Sequence, residues 1–462
     1  MSTTSTPSSR AKRPRPGPPR EYAFPQFERR QLDNGLELIV APATKLPLVT
    51  VVVLVDAGAA CDPVGHEGTA HLVAKLLLEG TQRSDGAELT ERFERLGATI
   101  DADADWDTAL LTMTALAEHL PAAFELLGEV VRTPAFSSRE VTRLKAERVA
   151  ELLQLRAEPR GLADEMFGRF LYIASSRYAR PEAGDERSVD AIEREQILSF
   201  YGARYLPGAT TVIVAGDITP AAAEELTRRA FGDWRGGSPS RVVCEDRPAT
   251  HERAVHIVAK SDAPQSELRI GHVGIPRNHP DFFSVNVMNA VLGGLFNSRI
   301  NLNLREAHAY TYGAFSSFEW RRQSGPFVVS TAVKSDITDA AAREVLFEID
   351  RIRSSAISHE ELSLATSYLD GVFPIRFETT AAIAAALSVL VVHDLPDDYY
   401  DRYRQHVREV TIERILHAAQ HYLHPDSMQM VIVGDAGAIR GPVEKLGFGR
   451  TTLYDTLGKP IG

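Results

Sequence analysis

The chain has 462 residues and a formal net charge of −11, from 51 Lys and Arg against 62 Asp and Glu, which excludes nucleic-acid binding that relies on overall charge. At ~150 residues per domain, the length makes two large domains or about three smaller ones, each able to bury a core without staples. The two cysteines, Cys61 and Cys244, are too few and too far apart for a thiolate metal site, and a single bridge between them is left open.

Residues 1–22 are rich in Pro, Ser and Arg and lack the apolar stretch of a secretory signal, so a disordered tail and a cytoplasmic chain are expected. A first half, 23–235, carries the β-branched strand Val51–Val55, a buried helix, the strand Ala109–Ala115, the amphipathic helix Leu120–Arg132 and a closing Val212-Ile213-Val214 strand. Residues 236–252, opening Gly236-Gly237-Ser238-Pro239, read as a linker. The second half, 253–462, repeats the order with strands Val255–Val258, Leu268–His272 and Phe327–Val333, the helix Asp339–Arg353 and a closing Val431-Ile432-Val433 strand. Its apolar run Ala381–Val392 falls short of the ~20 residues of a membrane span, so no membrane partner is expected.

The two halves also match in detail. Ile192-Glu193-Arg194 leads to Tyr205-Leu206-Pro207 and Gly216-Asp217, as Ile412-Glu413-Arg414 leads to Tyr422-Leu423-His424-Pro425 and Gly434-Asp435, with Thr114-Ala115 answering Thr331-Ala332 between them. Collinear matches at a near-constant offset indicate an internal duplication. The predicted fold is α+β, with two homologous α/β-sandwich halves, each a mostly antiparallel sheet with helices packed on one face.

The stretch Gly68-Thr69-Ala70-His71-Leu72-Val73-Ala74-Lys75, followed by Gly80-Thr81, resembles the zinc helix of the inverzincins, the pitrilysin/insulinase family of metallopeptidases. Leu96-Gly97-Ala98, the segment Phe373-Pro374 to Phe377-Glu378-Thr379 and the Val433-Gly434-Asp435 closure extend the resemblance, specifically to the mitochondrial-processing-peptidase-like branch. In that family H-x-x-E-H places two imidazoles on one face of a helix, with a distant Glu as third zinc ligand. His71 fills the first place. Lys75 stands in the second, with three donors and no lone pair, and Ala74 replaces the general base. The resemblance puts the third ligand at Glu151. It therefore implies no metal and no catalysis in this chain, with His71 hydrogen-bonded to Glu151 and Lys75 beside that carboxylate in place of the cation. A rebuilt site of His66, His71 and Glu151 is disfavoured, because five residues of helix turn the two imidazoles roughly 140° apart.

The run Gly293 to Gly313 resembles the family segment whose Arg and Tyr, seven apart, reach over the zinc to hold substrate, and Arg305 and Tyr312 match those places. A guanidinium offers a fork of donors to peptide carbonyls, and a phenol donates to a developing oxyanion. Tyr310 would share a face with Tyr312 on a strand and so could substitute for it. With the zinc helix lost and this pair kept, the resemblance implies a non-catalytic subunit of a heterodimeric zinc metalloendopeptidase. A homologous partner would carry the zinc, and this chain would supply half of a closed chamber that takes unfolded peptide as an added strand. Two other readings remain, a scaffold subunit with no part in proteolysis and an autonomous metallopeptidase with a rebuilt site.

Overall fold

The structure is a computed structural model that describes residues 21–261 and 263–461. The expected tail falls outside the described residues except for Glu21 and Tyr22, and the Tyr22 ring packs on Phe373 and Phe377.

The first half runs β1 (Glu28–Gln31), β2 (Glu37–Pro42), β3 (Leu48–Val55), α1 (Thr69–Leu76), α2 (Gly86–Arg95), β4 (Thr99–Ala104), β5 (Ala109–Leu116), α3 (Leu120–Arg132), α4 (Ser138–Ala157), α5 (Pro159–Leu171), α6 (Glu186–Asp190), α7 (Arg194–Arg204), β6 (Thr210–Gly216) and α8 (Pro220–Phe231). The second runs β7 (Ala254–Ala259), β8 (Gln265–Val273), α9 (Phe282–Asn289), α10 (Arg299–Asn301), β9 (Ala314–Phe318), β10 (Pro326–Lys334), α11 (Thr338–Ser354), α12 (His359–Val372), α13 (Thr380–Val392), α14 (Tyr399–Arg408), α15 (Ile412–Tyr422), β11 (Gln429–Gly434), α16 (Ala436–Glu444) and β12 (Arg450–Tyr454).

Each half holds one six-stranded, mostly antiparallel sheet, ordered β1-β2-β6-β3-β5-β4 and β12-β7-β11-β8-β10-β9. Strands β2, β6, β3, β5 and β4 correspond in place to β7, β11, β8, β10 and β9, so the repeat read from the sequence is a repeat of topology. Thr114 and Thr331 lie on the equivalent strands β5 and β10. The halves part at the outer strand. β1 pairs antiparallel with β2, whereas β12 arrives from the end of the chain and pairs parallel with β7.

The helices reach further than one face. Along β3 every residue from Val49 to Val55 is buried, and successive side chains point to opposite faces. Val49, Val51, Val53 and Val55 share a core with Leu72 and Val73 of α1 and with Phe124 of α3. Val52 and Leu54 instead join Ile383, Ala384 and Leu387 of α13, a helix of the other half that packs across β3 and β6. The exchange is reciprocal, because α5 of the first half lays Leu162, Met166 and Phe167 over Val258, Val431 and Val433 of the second sheet. Helix α13 is apolar almost all round, the composition of a fully buried helix. Its start is fixed by Thr379, which accepts from the Ala382 N–H at 3.1 Å.

Polar ties stitch the same seam. Thr50 Oγ1 lies 2.8 Å from Thr380 Oγ1, and Arg269 on β8 reaches Asp164 of α5 at 2.5 Å and Glu267 at 2.9 Å. Arg322, between β9 and β10, pairs with Asp56, donates from Nε to the Val392 carbonyl at 2.8 Å and gives its backbone N–H to Asp107 at 3.1 Å. The Arg321 guanidinium lies 4.3 Å from the Trp106 ring and 4.6 Å from that of Tyr178. Residues 236–252 contain no helix or strand beyond the isolated bridge from Pro248 to Tyr172. The bridge left open by the sequence is not formed, since both cysteines are free thiols. Burial pushes Cys61 up to about 12 and Cys244 up to about 11, which makes both poor nucleophiles.

Leu387→Ala is expected to cost about 2–5 kcal/mol, and unfolding by urea to stay a single transition in circular dichroism and tryptophan fluorescence, because each sheet relies on a helix of the other half. Two separated transitions would contradict the shared cover. Near this seam Glu182 is pushed up to about 7, first by burial and then by the neighbouring charge of Asp105. A carboxyl raised on folding adds stability at low pH that is lost as pH climbs from its ordinary value of 4.5 to about 7. Glu182→Gln should therefore stabilise the chain at pH 8 by on the order of 1–3 kcal/mol and change little at pH 4, as read by thermal midpoints.

Candidate functional site

Helix α1 is set in place by a buried carboxylate. Asp62 accepts from the Gly68 and Ala70 N–H groups, both at 2.7 Å, and is held in turn by Arg177 at 2.8 Å. These are otherwise unpaired donors of a helix start. Gly68 adopts φ of +99°, and a Cβ there would lie 2.8 Å from the Ala183 carbonyl, so glycine is required. Of the α1 residues, all but His71 and Lys75 are buried, Ala74 at 0% exposure. The helix thus presents one polar stripe, two residues four apart.

That stripe faces Asp103 on the edge strand β4. His71 Nδ1 lies 3.1 Å from Asp103 Oδ1, and Lys75 Nζ lies 3.4 Å from Oδ2. A carboxylate partner keeps the His71 proton on Nδ1. The His71 hydrogen bond, the Ala104 N–H and the Lys75 charge hold the Asp103 carboxyl well below the usual range, against some desolvation.

The expected partner differs from the one found. Glu151, on α4, is 60% exposed at its side chain and pairs with Arg148 at 3.0 Å; among the described residues no hydrogen bond or ion pair joins it to His71 or Lys75. The helix aims this carboxylate outward along its own i, i+3 row, and the edge strand supplies the nearer anion. His66 sits in the turn before α1 and lines a cleft of about 630 Å³ with Glu165 and Arg180. No group of three or more His, Cys, Asp or Glu side chains placed to hold a metal ion occurs among the described residues. The donor set at α1 does not fit zinc, because an ammonium occupies the second ligand position and already binds the local carboxylate.

Arg305 lies in the π-helical segment Leu302–Ala307, its guanidinium 4.6 Å from the Phe296 ring centroid and 3.5 Å from Glu306. Tyr312 is 94% exposed. The strand expected for Tyr310 and Tyr312 is a loop, entered through Ala309 at a positive φ of 53°. Tyr310 turns back to stack on His308, with ring centroids 4.9 Å apart, and its N–H bonds to the Leu304 carbonyl at 2.8 Å. It therefore does not share the outward face of Tyr312.

The free edges of the two sheets differ. On β9, Asn301 Oδ1 accepts from the Ala314 N–H at 3.0 Å and Asn289 Nδ2 donates to the Ser316 carbonyl at 3.1 Å, sealing that edge. On β4, no side chain of another element bonds the backbone of Thr99–Asp103 among the described residues, which leaves a template for strand addition. Sequence reasoning missed Asp103, although the alternation in Thr99-Ile100-Asp101-Ala102-Asp103-Ala104 sets both aspartates on one face of a strand.

Residues 38–172 match the profile of the insulinase family, peptidase family M16, and residues 191–369 that of the peptidase M16 inactive domain. The chain belongs to the M16 peptidase family. This M16 chain is 22% identical over 418 residues to an uncharacterized zinc protease of Mycobacterium tuberculosis, covering 89% of this chain and 94% of that one. It is 25% identical over 286 residues to a probable mitochondrial-processing peptidase subunit beta of Schizosaccharomyces pombe, covering 59% and 60%. Its fold matches the crystal structure of a peptidase M16 inactive domain from Pseudomonas fluorescens with a TM-score of 0.83 at 24% identity, over 88% of this chain and 98% of that one.

Asp103→Asn should lower the thermal midpoint at pH 7. A carboxylate depressed on folding adds stability above its ordinary value of ~3.9 that is lost as pH falls toward its folded value, so the gap between variant and wild type should close as pH drops below about 4. A gap that stays constant from pH 5 down to pH 2 would show that packing, and not the charge, is what the variant removes.

Proposed function

We propose that this M16 chain is the non-catalytic subunit of a heterodimeric zinc endopeptidase, working with a homologous partner that carries the zinc. The observation that carries the reading is the α1 stripe. Lys75 is tied to Asp103 where a second zinc ligand would stand, and Ala74 is buried where a base would act, while Arg305 and Tyr312 remain accessible on the other half. A relative described as a probable processing-peptidase subunit is consistent with assembly in a complex.

In this reading peptide enters as an added strand on the open β4 edge, where backbone hydrogen bonds supply affinity with little demand on sequence. Asp101, exposed on that strand, favours basic peptides. Arg305, stacked on Phe296, offers N–H groups to peptide carbonyls, and Tyr312 donates its O–H to the oxyanion that forms in the partner's site.

The test is reconstitution with an H-x-x-E-H partner chain. Tyr312→Phe and Arg305→Ala should leave folding and assembly intact and lower turnover on the order of 10²-fold, the scale of one lost oxyanion donor. Full turnover with both substitutions in an assembled, folded pair would refute the role.

A further inference from the structure

A cleft of about 480 Å³ opens where the linker, the end of β8, the last turn of α11 and the segment after α15 meet. Its lining includes Thr250, His251, His272, Arg353 and His424. Arg353 forms no ion pair among the described residues, and its Nε is buried without a hydrogen-bond partner. The acidic residue at the rim, Asp426, is bound by Arg253 at 3.2 Å. The half-buried Arg353 side chain thus carries a charge that no carboxylate pairs among the described residues, and such a charge favours a bound anion.

The imidazoles answer to that charge. His272 donates from Nδ1 to the Val273 carbonyl at 2.8 Å and accepts the His424 N–H on Nε2 at 3.1 Å, which fixes it neutral. Burial, with the charges of His424 and Arg353, pushes it down to about 3. The His424 ring stands edge-on to His272 at 5.0 Å, and burial together with Arg353 holds it below the ordinary range. Thr250 Oγ1 accepts from the Glu252 N–H at 3.0 Å, so its O–H is free to donate. A guanidinium, the imidazoles of His424 and His251 and a hydroxyl thus line one cleft, whose carboxylate, Asp426, is already paired with Arg253.

We propose that this cleft binds a phosphate-type oxyanion, with Arg353 as its anchor and His424, His251 and Thr250 as further donors. The fork of Arg353 matches two oxygens of such an anion, and Thr250 and His251 line the cleft from the linker side, where a further oxygen of a tetrahedral group could be met. The site lies apart from α1 and from Arg305, and it owes nothing to proteolysis.

The experiment titrates the full chain with inorganic phosphate, at constant ionic strength set with NaCl, by calorimetry and by thermal midpoint. A saturable, roughly stoichiometric isotherm is expected, with affinity at least tenfold weaker in Arg353→Gln and several-fold weaker in His424→Gln. Phosphoserine, run in parallel, separates a phosphate monoester from the free ion as the natural occupant; tighter phosphoserine binding assigns the former and tighter inorganic phosphate the latter. If Arg353→Gln does not fold, carbon-labelled histidine spectra of the wild-type chain decide, with phosphate moving the His424 and His251 signals and leaving that of His66 in place. Unchanged affinity in Arg353→Gln, or a midpoint that follows NaCl alone, would overturn the proposal.

Discussion

The architecture rests on sheets that are apolar on both faces. A strand such as β3 buries its odd and even residues alike, and an antiparallel sheet with only its own helices would leave one of those faces in water. The chain resolves this by exchange, α13 for the first sheet and α5 for the second. Everything placed at the seam depends on that exchange, including the Arg322 tie to Asp56 and Asp107 and the Arg269 pair with Asp164. In both pairs the guanidinium is buried, so each arginine depends on keeping its carboxylate partner.

The α1 site sets a polar stripe that does not fit zinc on a well-fixed frame. Asp62 and Arg177 fix the start of the helix, and Gly68 allows close approach to Ala183. Within that frame one ammonium and one aspartate balance each other, with His71 hydrogen-bonded to the same aspartate. The result is a neutralised polar patch beside an open strand edge.

Much of this was legible in the residues. The repeat and the strands Ala109–Ala115 and Phe327–Val333 follow from period and spacing, whereas Ala74 and Lys75 stand out only against the family motif that the α1 stretch resembles. The exchange of α5 and α13 did not follow, because an apolar helix face announces that it will be covered without saying by which sheet. Glu151 was misplaced for a related reason. Position along a motif identifies a helix, whereas the direction of a long side chain is set by local partners, here Arg148. Asp103 comes from a strand distant from α1 in sequence, and its nearness to Lys75 is a product of the sheet register alone. Tyr310 and Tyr312 parted company because Ala309 takes a left-handed turn that no alternation pattern foretells.

The borrowed cover also sets an order of events during synthesis. Strand β6 completes the first sheet at Gly216, yet the helix that seals its second face begins only at Thr380. At ~5–20 residues per second, a nascent first half waits on the order of ten seconds or more with Val52, Leu54 and Ile213 uncovered. The aromatic anchor of the first residues is delayed too, since Tyr22 and Phe24 pack on Phe373, Phe377 and Tyr400. The emerging chain is thus a natural client for chaperones until its last third leaves the ribosome, and a truncation before α13 would strand a sheet with one sticky side.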